Sequence, residues 1–112
     1  MADKPVDWVG SSRADIRALP DEPRRAIGLE LRRVQRGLAP MDWKPMPAVG
    51  PGVVEIRVRD ASGAFRLMYV AKFAEAIYVL HVFQKKSQKT AGLDLELAQQ
   101  RYASLRRARQ EE

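Results

Sequence analysis

Cysteine is absent from the 112 residues. That excludes disulfides, thiolate metal sites and a cysteine nucleophile, and it suits a reducing cytoplasm. Histidine occurs once, which excludes a histidine-rich metal cluster and the H-E-x-x-H zinc motif, so neither metal nor cofactor is expected. G-x-x-x-x-G-K-[ST], G-x-G-x-x-G and G-x-S-x-G are also missing, and with them the ordinary nucleotide-binding and serine-hydrolase chemistries. No apolar run approaches the roughly 18 residues of a membrane span, and the opening MADKPVDW has no signal-peptide core, so a cytoplasmic chain without a membrane partner is expected. The acidic residues form no readable acid/base pair.

What the chain does have is positive charge. Twenty Lys and Arg face fourteen Asp and Glu, giving a net charge of +6 and a pI near 10.1. Basic proteins of this size meet nucleic acid or an acidic protein partner. Hydrophobic residues at 46% and charged residues at 30% describe a globular chain, and its length suits one domain, residues 1–112, around one modest core.

Hydrophobic periodicity orders that domain. Residues 4–9, KPVDWV, predict a short edge strand with Pro5 near its start. Ser12 and Asp15 have capping-box spacing, and a short helix is expected from there to about Leu19, before Pro20. Asp21 is the expected N-cap of a second helix, on which Ile27, Leu31, Val34 and Leu38 share one face. Arg24, Arg25, Arg32, Arg33 and Arg36 solvate the remainder. Gly37 and Pro40 end it, and the proline-rich stretch 39–52 reads as a loop pinned by Trp43.

Three strands follow in an antiparallel meander. In 53–59, Val54, Ile56 and Val58 point one way and Glu55, Arg57 and Arg59 the other. In 65–71, Phe65, Leu67 and Tyr69 oppose Arg66, Met68 and Val70. Residues 77–83 are apolar on both faces, as a central strand is; here the alternation puts His81 beside Val79 and Phe83, in a packed or rim position without a visible partner. From about Asp94 a helix carries Leu95, Ala98, Tyr102 and Leu105 on one face. The fold class is therefore α+β: a small, mostly antiparallel sheet of an N-terminal strand plus a three-strand meander, with two N-terminal helices and one C-terminal helix.

The segment LHVFQKKSQKT, residues 80–90, ends a strand in three lysines. In a meander the end of the third strand lies beside the start of the second, which brings Lys85, Lys86 and Lys89 toward Arg66. Guanidinium and ammonium groups gathered this way suit a phosphate. Read as a surface, the same residues are a solvated strand face and a charged strand exit. Neither Arg66 nor Lys86 belongs to the apolar face, so removing either is expected to leave thermal stability unchanged. The aromatic residues Trp8, Trp43, Tyr69, Tyr78 and Tyr102 read as core.

The run VVEIRVRDASGAFRLMYVAKFAEAIYVLHVFQKKSQKT, with the DLELAQQRY helix behind it, resembles the phage-derived branch of the RelE/HigB-like toxins within the RelE/ParE superfamily. VDWVGSSRADIRALP and the arginine-rich helix are similar to that branch as well. The resemblance implies the toxin of a type II toxin–antitoxin module: a metal-independent, ribosome-dependent mRNA endonuclease that inhibits translation, using the RNA 2′-OH as nucleophile. It implies Arg57, Arg66 and Lys86 as catalytic residues, Arg66 on the scissile phosphate and Lys86 on the leaving oxygen. Arg59, Lys85 and Lys89 are implied as RNA contacts. The implied partners are the ribosome, mRNA and a cognate helix-turn-helix antitoxin in a toxin–antitoxin hetero-oligomer. Glu55 stands where some relatives carry a lysine, Ala91 replaces a frequent proline, and the tyrosine that some members place at the start of the last helix has no counterpart. Two alternatives remain: a ParE-like gyrase inhibitor, which lacks a comparable cationic set, and a silent remnant that binds only antitoxin or RNA.

Overall fold

The computed structural model describes residues 3–86 and 91–110. The chain runs β1 (Val6–Trp8), α1 (Ser12–Arg17), α2 (Asp21–Gln35), β2 (Trp43–Pro45), β3 (Val53–Asp60), β4 (Gly63–Val70), β5 (Ile77–Lys85) and α3 (Gly92–Gln110). The strands form one sheet in the order β1-β5-β4-β3-β2. β1 lies parallel to β5 and every other pairing is antiparallel. The expected α+β class, edge strand, meander and helix order are all present.

Alternation along the strands divides the core in two. Ile56, Phe65, Leu67, Tyr69, Ile77, Val79 and Val82 pack with Ile16, Ile27, Leu31 and Val34 from α1 and α2. On the other face Val53, Met68, Val70, Leu80 and Phe83 pack with Ala98, Tyr102 and Leu105 of α3. Burial of apolar surface on both sheet faces, at roughly 25 cal/mol per Å², is the main force holding the three layers together.

Several local expectations change. The stretch 39–52 is not wholly loop: Trp43–Pro45 adds a fifth strand to β3, with Trp43 opposite Ile56. Three residues, one of them proline, carry too little alternation to be read as a strand. Trp43 is not core, being 46% exposed on that outer edge. The central strand is β4, with β5 one place nearer the β1 edge.

Ser12 makes no capping box. Ser11 is the N-cap residue of α1 and donates to Asp15 Oδ2 at 2.7 Å, while the buried Ser12 hydroxyl donates to the Val79 carbonyl at 3.1 Å. Asp21 is not the N-cap of α2 either. Extended Pro20 takes that place, and Asp21, in the first turn, accepts from Arg24 Nη2 at 2.8 Å. There its charge complements the positive end of the helix dipole. Leu38 leaves the apolar stripe because the helix ends first: Gly37 turns with φ 84°, its N–H meets the Val34 carbonyl, and the Leu38 N–H returns to the Arg33 carbonyl. This is a Schellman ending, and it leaves Leu38 51% exposed.

One irregularity decides which side chains share a face. Between Met68 and Tyr69 the β4–β5 register shifts: Met68 faces His81 but Tyr69 faces Val79. Leu80 is the extra residue of a β-bulge. Strict alternation therefore fails, and His81 does not share a face with Val79. His81, Phe83 and Lys85 lie on the α3 side, and Val79 lies on the α1/α2 side. Arg101 of α3 holds the bulge, donating from Nη1 to the Leu80 carbonyl at 2.9 Å and from Nη2 to Ser11 Oγ at 2.7 Å.

Burial, with the Glu30 carboxylate adding to it, pushes the Tyr69 phenol up from 10.0 to about 12. In the unfolded chain the phenol ionises near its ordinary value, so the stabilisation is full below pH 10 and is lost as the pH rises through about 12. The loss amounts to about 3 kcal/mol. Urea unfolding between pH 9 and 12 is expected to show a steeper decline for the native chain than for Tyr69→Phe.

Candidate active site

Helix α3 covers only part of its sheet face. The ends of β3 and β4 next to their hairpin, together with the end of β5, run past it and form an open recess of about 620 Å³. Its lining includes Arg57, Arg59, Arg66, Lys85 and Lys86. The hairpin that shapes it is tight: Asp60 pairs with Gly63, leaving Ala61 and Ser62 as the turn. Asp60 Oδ1 accepts from the Ser62 N–H at 2.8 Å, and Gly63 takes φ 134°, a conformation open to glycine but strained for other residues.

Strand register then sets the cations in rows. Arg57 stands directly opposite Arg66, which stands opposite Phe83; one row further out, Arg59 faces Ala64, and Ala64 faces Lys85. Like charges placed opposite one another weaken a sheet. A face that keeps two guanidinium groups opposed is suited to an anion lying between them. Thus the structure brings together Arg57, Arg59, Arg66, Lys85 and Lys86, all five expected from the sequence. Lys89 lies outside the described residues.

The members differ in burial. Arg59 and Lys86 are exposed, and Arg57 and Lys85 are half-buried. Arg66 is only 3% exposed, which corrects the expectation that it stands outside the folded interior. Its Nη1 donates to the Phe65 carbonyl at 3.0 Å, and its Nε lies 3.4 Å from Oε1 of Glu55, itself 2% exposed. Burial lowers the Arg66 pKa against the pull of Glu55, and Arg57 and Arg59 lower it further. Burial raises the Glu55 carboxyl, opposed by Arg66, Lys44, Lys85 and Arg57. Lys85 is lowered by burial and then by the Arg66 charge.

Two residues at this site escaped the pattern reading. Lys44 is opposite Glu55 on β2, a strand the sequence hides. Asp94, in the first turn of α3, lies 2.7 Å from Nε2 of buried His81. That histidine also stacks on Phe83, with ring centroids 4.8 Å apart. It is packed, as expected, but has a partner that no sequence spacing advertises. No group of three or more potential metal ligands occurs among the described residues, and no described helix is long and apolar enough to cross a membrane.

The family described as Phage derived protein Gp49-like (DUF891) matches residues 14–103, from within α1 to the middle of α3. No curated protein matches the sequence.

Proposed function

The chain belongs to the Gp49-like family of phage-derived proteins, and from that premise we propose that it is the toxin of a type II toxin–antitoxin module, acting as a ribosome-dependent mRNA endonuclease of RelE/HigB-like type. The observation that carries this reading is the recess in which Arg57, Arg59, Arg66, Lys85 and Lys86 converge. RNA brings its own nucleophile, the 2′-OH beside each phosphorus, so an enzyme that orients the phosphate and neutralises its developing charge is sufficient.

In this scheme Arg66 binds the non-bridging oxygens at the buried floor of the recess. Arg57 faces it across the phosphate, and Lys86 meets the oxygen that leaves. Lys85 and Arg59 hold the flanking backbone, and Lys89 extends that contact. No metal or cofactor takes part. The protein acts in the cytoplasm, and an antitoxin with a helix-turn-helix domain masks the cationic recess, its charge speeding association in a salt-sensitive way.

The test is induced expression followed by mapping of mRNA ends. Growth arrest with new ends inside translated frames is expected, as is little cutting of naked RNA by the purified protein. Arrest without new ends, accompanied by gyrase inhibition, would replace this reading with the ParE-like one. Co-expression with an adjacent helix-turn-helix frame is expected to yield a complex and restore growth.

His81 has no chemical step in this scheme. His81→Ala removes a packed ring and leaves Asp94 without its partner. The expected loss is about 1–3 kcal/mol of stability, with cleavage per folded molecule unchanged. Paired measurements of urea midpoint and cleavage rate check it.

A further inference from the structure

Three buried polar atoms beneath the recess lack hydrogen-bond partners: Glu55 Oε2, Arg57 Nε and Arg66 Nε. One is an acceptor and two are donors. Buried groups of this kind are rare in a settled structure, because each forfeits its hydration without replacement. Their placement makes them complementary. Glu55 and Arg57 are two residues apart on β3 and share its α3-side face, so their Cα atoms lie roughly 7 Å apart, within reach of two long side chains. Arg66 Nε already sits 3.4 Å from Glu55 Oε1 as an ion pair, longer than a formed hydrogen bond.

We propose that Glu55 is a positioning residue that gathers the Nε–H groups of Arg66 and Arg57 on its two carboxylate oxygens, aiming both guanidinium forks at one phosphodiester in the recess. The proposal deepens the endonuclease reading and rests on it for the identity of the ligand. Nε is the one guanidinium nitrogen that can be held from behind while the terminal nitrogens face forward. A carboxylate is the acceptor that can take one such donor on each oxygen. A lysine at this position would add charge but hold neither arginine. A phosphate between the two forks draws them together and closes both contacts to Glu55.

The experiment compares Glu55→Gln and Glu55→Leu with the native chain. Glu55→Gln keeps one acceptor oxygen at the same reach and puts an NH2 donor in place of the other, whereas Glu55→Leu keeps only bulk. Cleavage on programmed ribosomes is measured at saturating substrate. Binding of a short 2′-O-methyl RNA, which cannot be cut, is measured alongside, together with urea unfolding. Glu55→Leu is expected to lose at least about tenfold in rate, while its RNA affinity holds or rises because a negative charge has gone. Glu55→Gln, which can hold one Nε–H but turns an N–H donor toward the other, is expected to fall between Glu55→Leu and the native chain.

A merely structural role would lower rate and affinity together, in step with stability, and would overturn the proposal. So would native cleavage in Glu55→Leu. A readout independent of activity is the NMR signal of the Arg66 and Arg57 Nε–H groups. Adding the 2′-O-methyl RNA is expected to shift both and slow their exchange in the native protein, to do so for one of the two in Glu55→Gln, and for neither in Glu55→Leu. If the native protein cuts no RNA, the endonuclease reading fails and this NMR comparison still decides the role of Glu55: identical responses in all three proteins would end it.

Discussion

Arg66→Ala is expected to weaken the fold as well as empty the site. The substitution leaves Glu55, 2% exposed, without the guanidinium that lies 3.4 Å from it. Breaking a buried pair from one side costs on the order of 3–5 kcal/mol, far more than an exposed arginine contributes. The loss has a pH signature. Burial already pushes the Glu55 carboxyl upward, and without Arg66 its folded-state pKa rises further. A raised carboxyl stabilises the fold at low pH and withdraws that stabilisation as the pH climbs through the folded value. The deficit of Arg66→Ala against the native chain is therefore expected to be smaller in acid than at neutrality. Arg66→Met combined with Glu55→Leu is expected to recover much of the loss, because apolar replacement of both partners removes the stranded charge. Urea midpoints at two pH values for the native, single and double variants check this. Equal deficits at both pH values, or none at all, would contradict the buried-pair account.

The second large effect is confined to chemistry. Lys86 is exposed at the lip of the recess, so Lys86→Ala is expected to leave the unfolding midpoint within experimental error. Its ammonium group meets the leaving oxygen in the proposed scheme, and losing one such transition-state contact costs about 3 kcal/mol, roughly a hundredfold in rate. Arg57→Ala is expected to be milder, since Arg66 still holds the phosphate. Cleavage rates on programmed ribosomes, with unfolding curves on the same preparations, separate the two cases. A native rate in Lys86→Ala would remove that residue from the mechanism.

The cations of the recess were legible because strands advertise their faces. Arg57 and Arg59 alternate with Val54, Ile56 and Val58, and Asp60 to Gly63 announces the turn, so the placement of Arg66 beside the end of β5 follows from connectivity alone. Depth was not legible. Arg59 and Arg66 carry the same side chain, yet one is exposed and the other almost fully enclosed, because Arg66 sits on the central strand and Arg59 near a strand end at the hairpin. Nor does alternation reveal a buried counter-ion: Glu55 occupies a polar-face position as an exposed glutamate would. Alternation pairs His81 correctly with Phe83 but wrongly with Val79, because period-two reasoning assumes an unbroken ladder and one extra residue at Leu80 reverses the parity of everything after it. β2 was invisible for a related reason, since its pairing with β3 comes from main-chain groups and three residues leave no pattern.

The bulge at Leu80 also restricts how the gene can change. Downstream of it, side-chain parity works like a reading frame. A one-residue insertion or deletion between His81 and Gln84, absorbed by a regular ladder from the β1 end, would swing Lys85 to the opposite side of the sheet and bring Gln84 to the recess without altering any recess codon, whereas losing Leu80 itself would only remove the bulge and leave Lys85 opposite Ala64. Insertions in the 71–75 turn before β5 carry no such penalty, because they precede the paired segment. Length variation among descendants of this chain is therefore expected to gather in that turn, to be tolerated as loss of the extra residue at Leu80, and to be absent between His81 and Lys85. Arg101, which donates to the Leu80 carbonyl from another element, is expected to persist wherever the extra residue does.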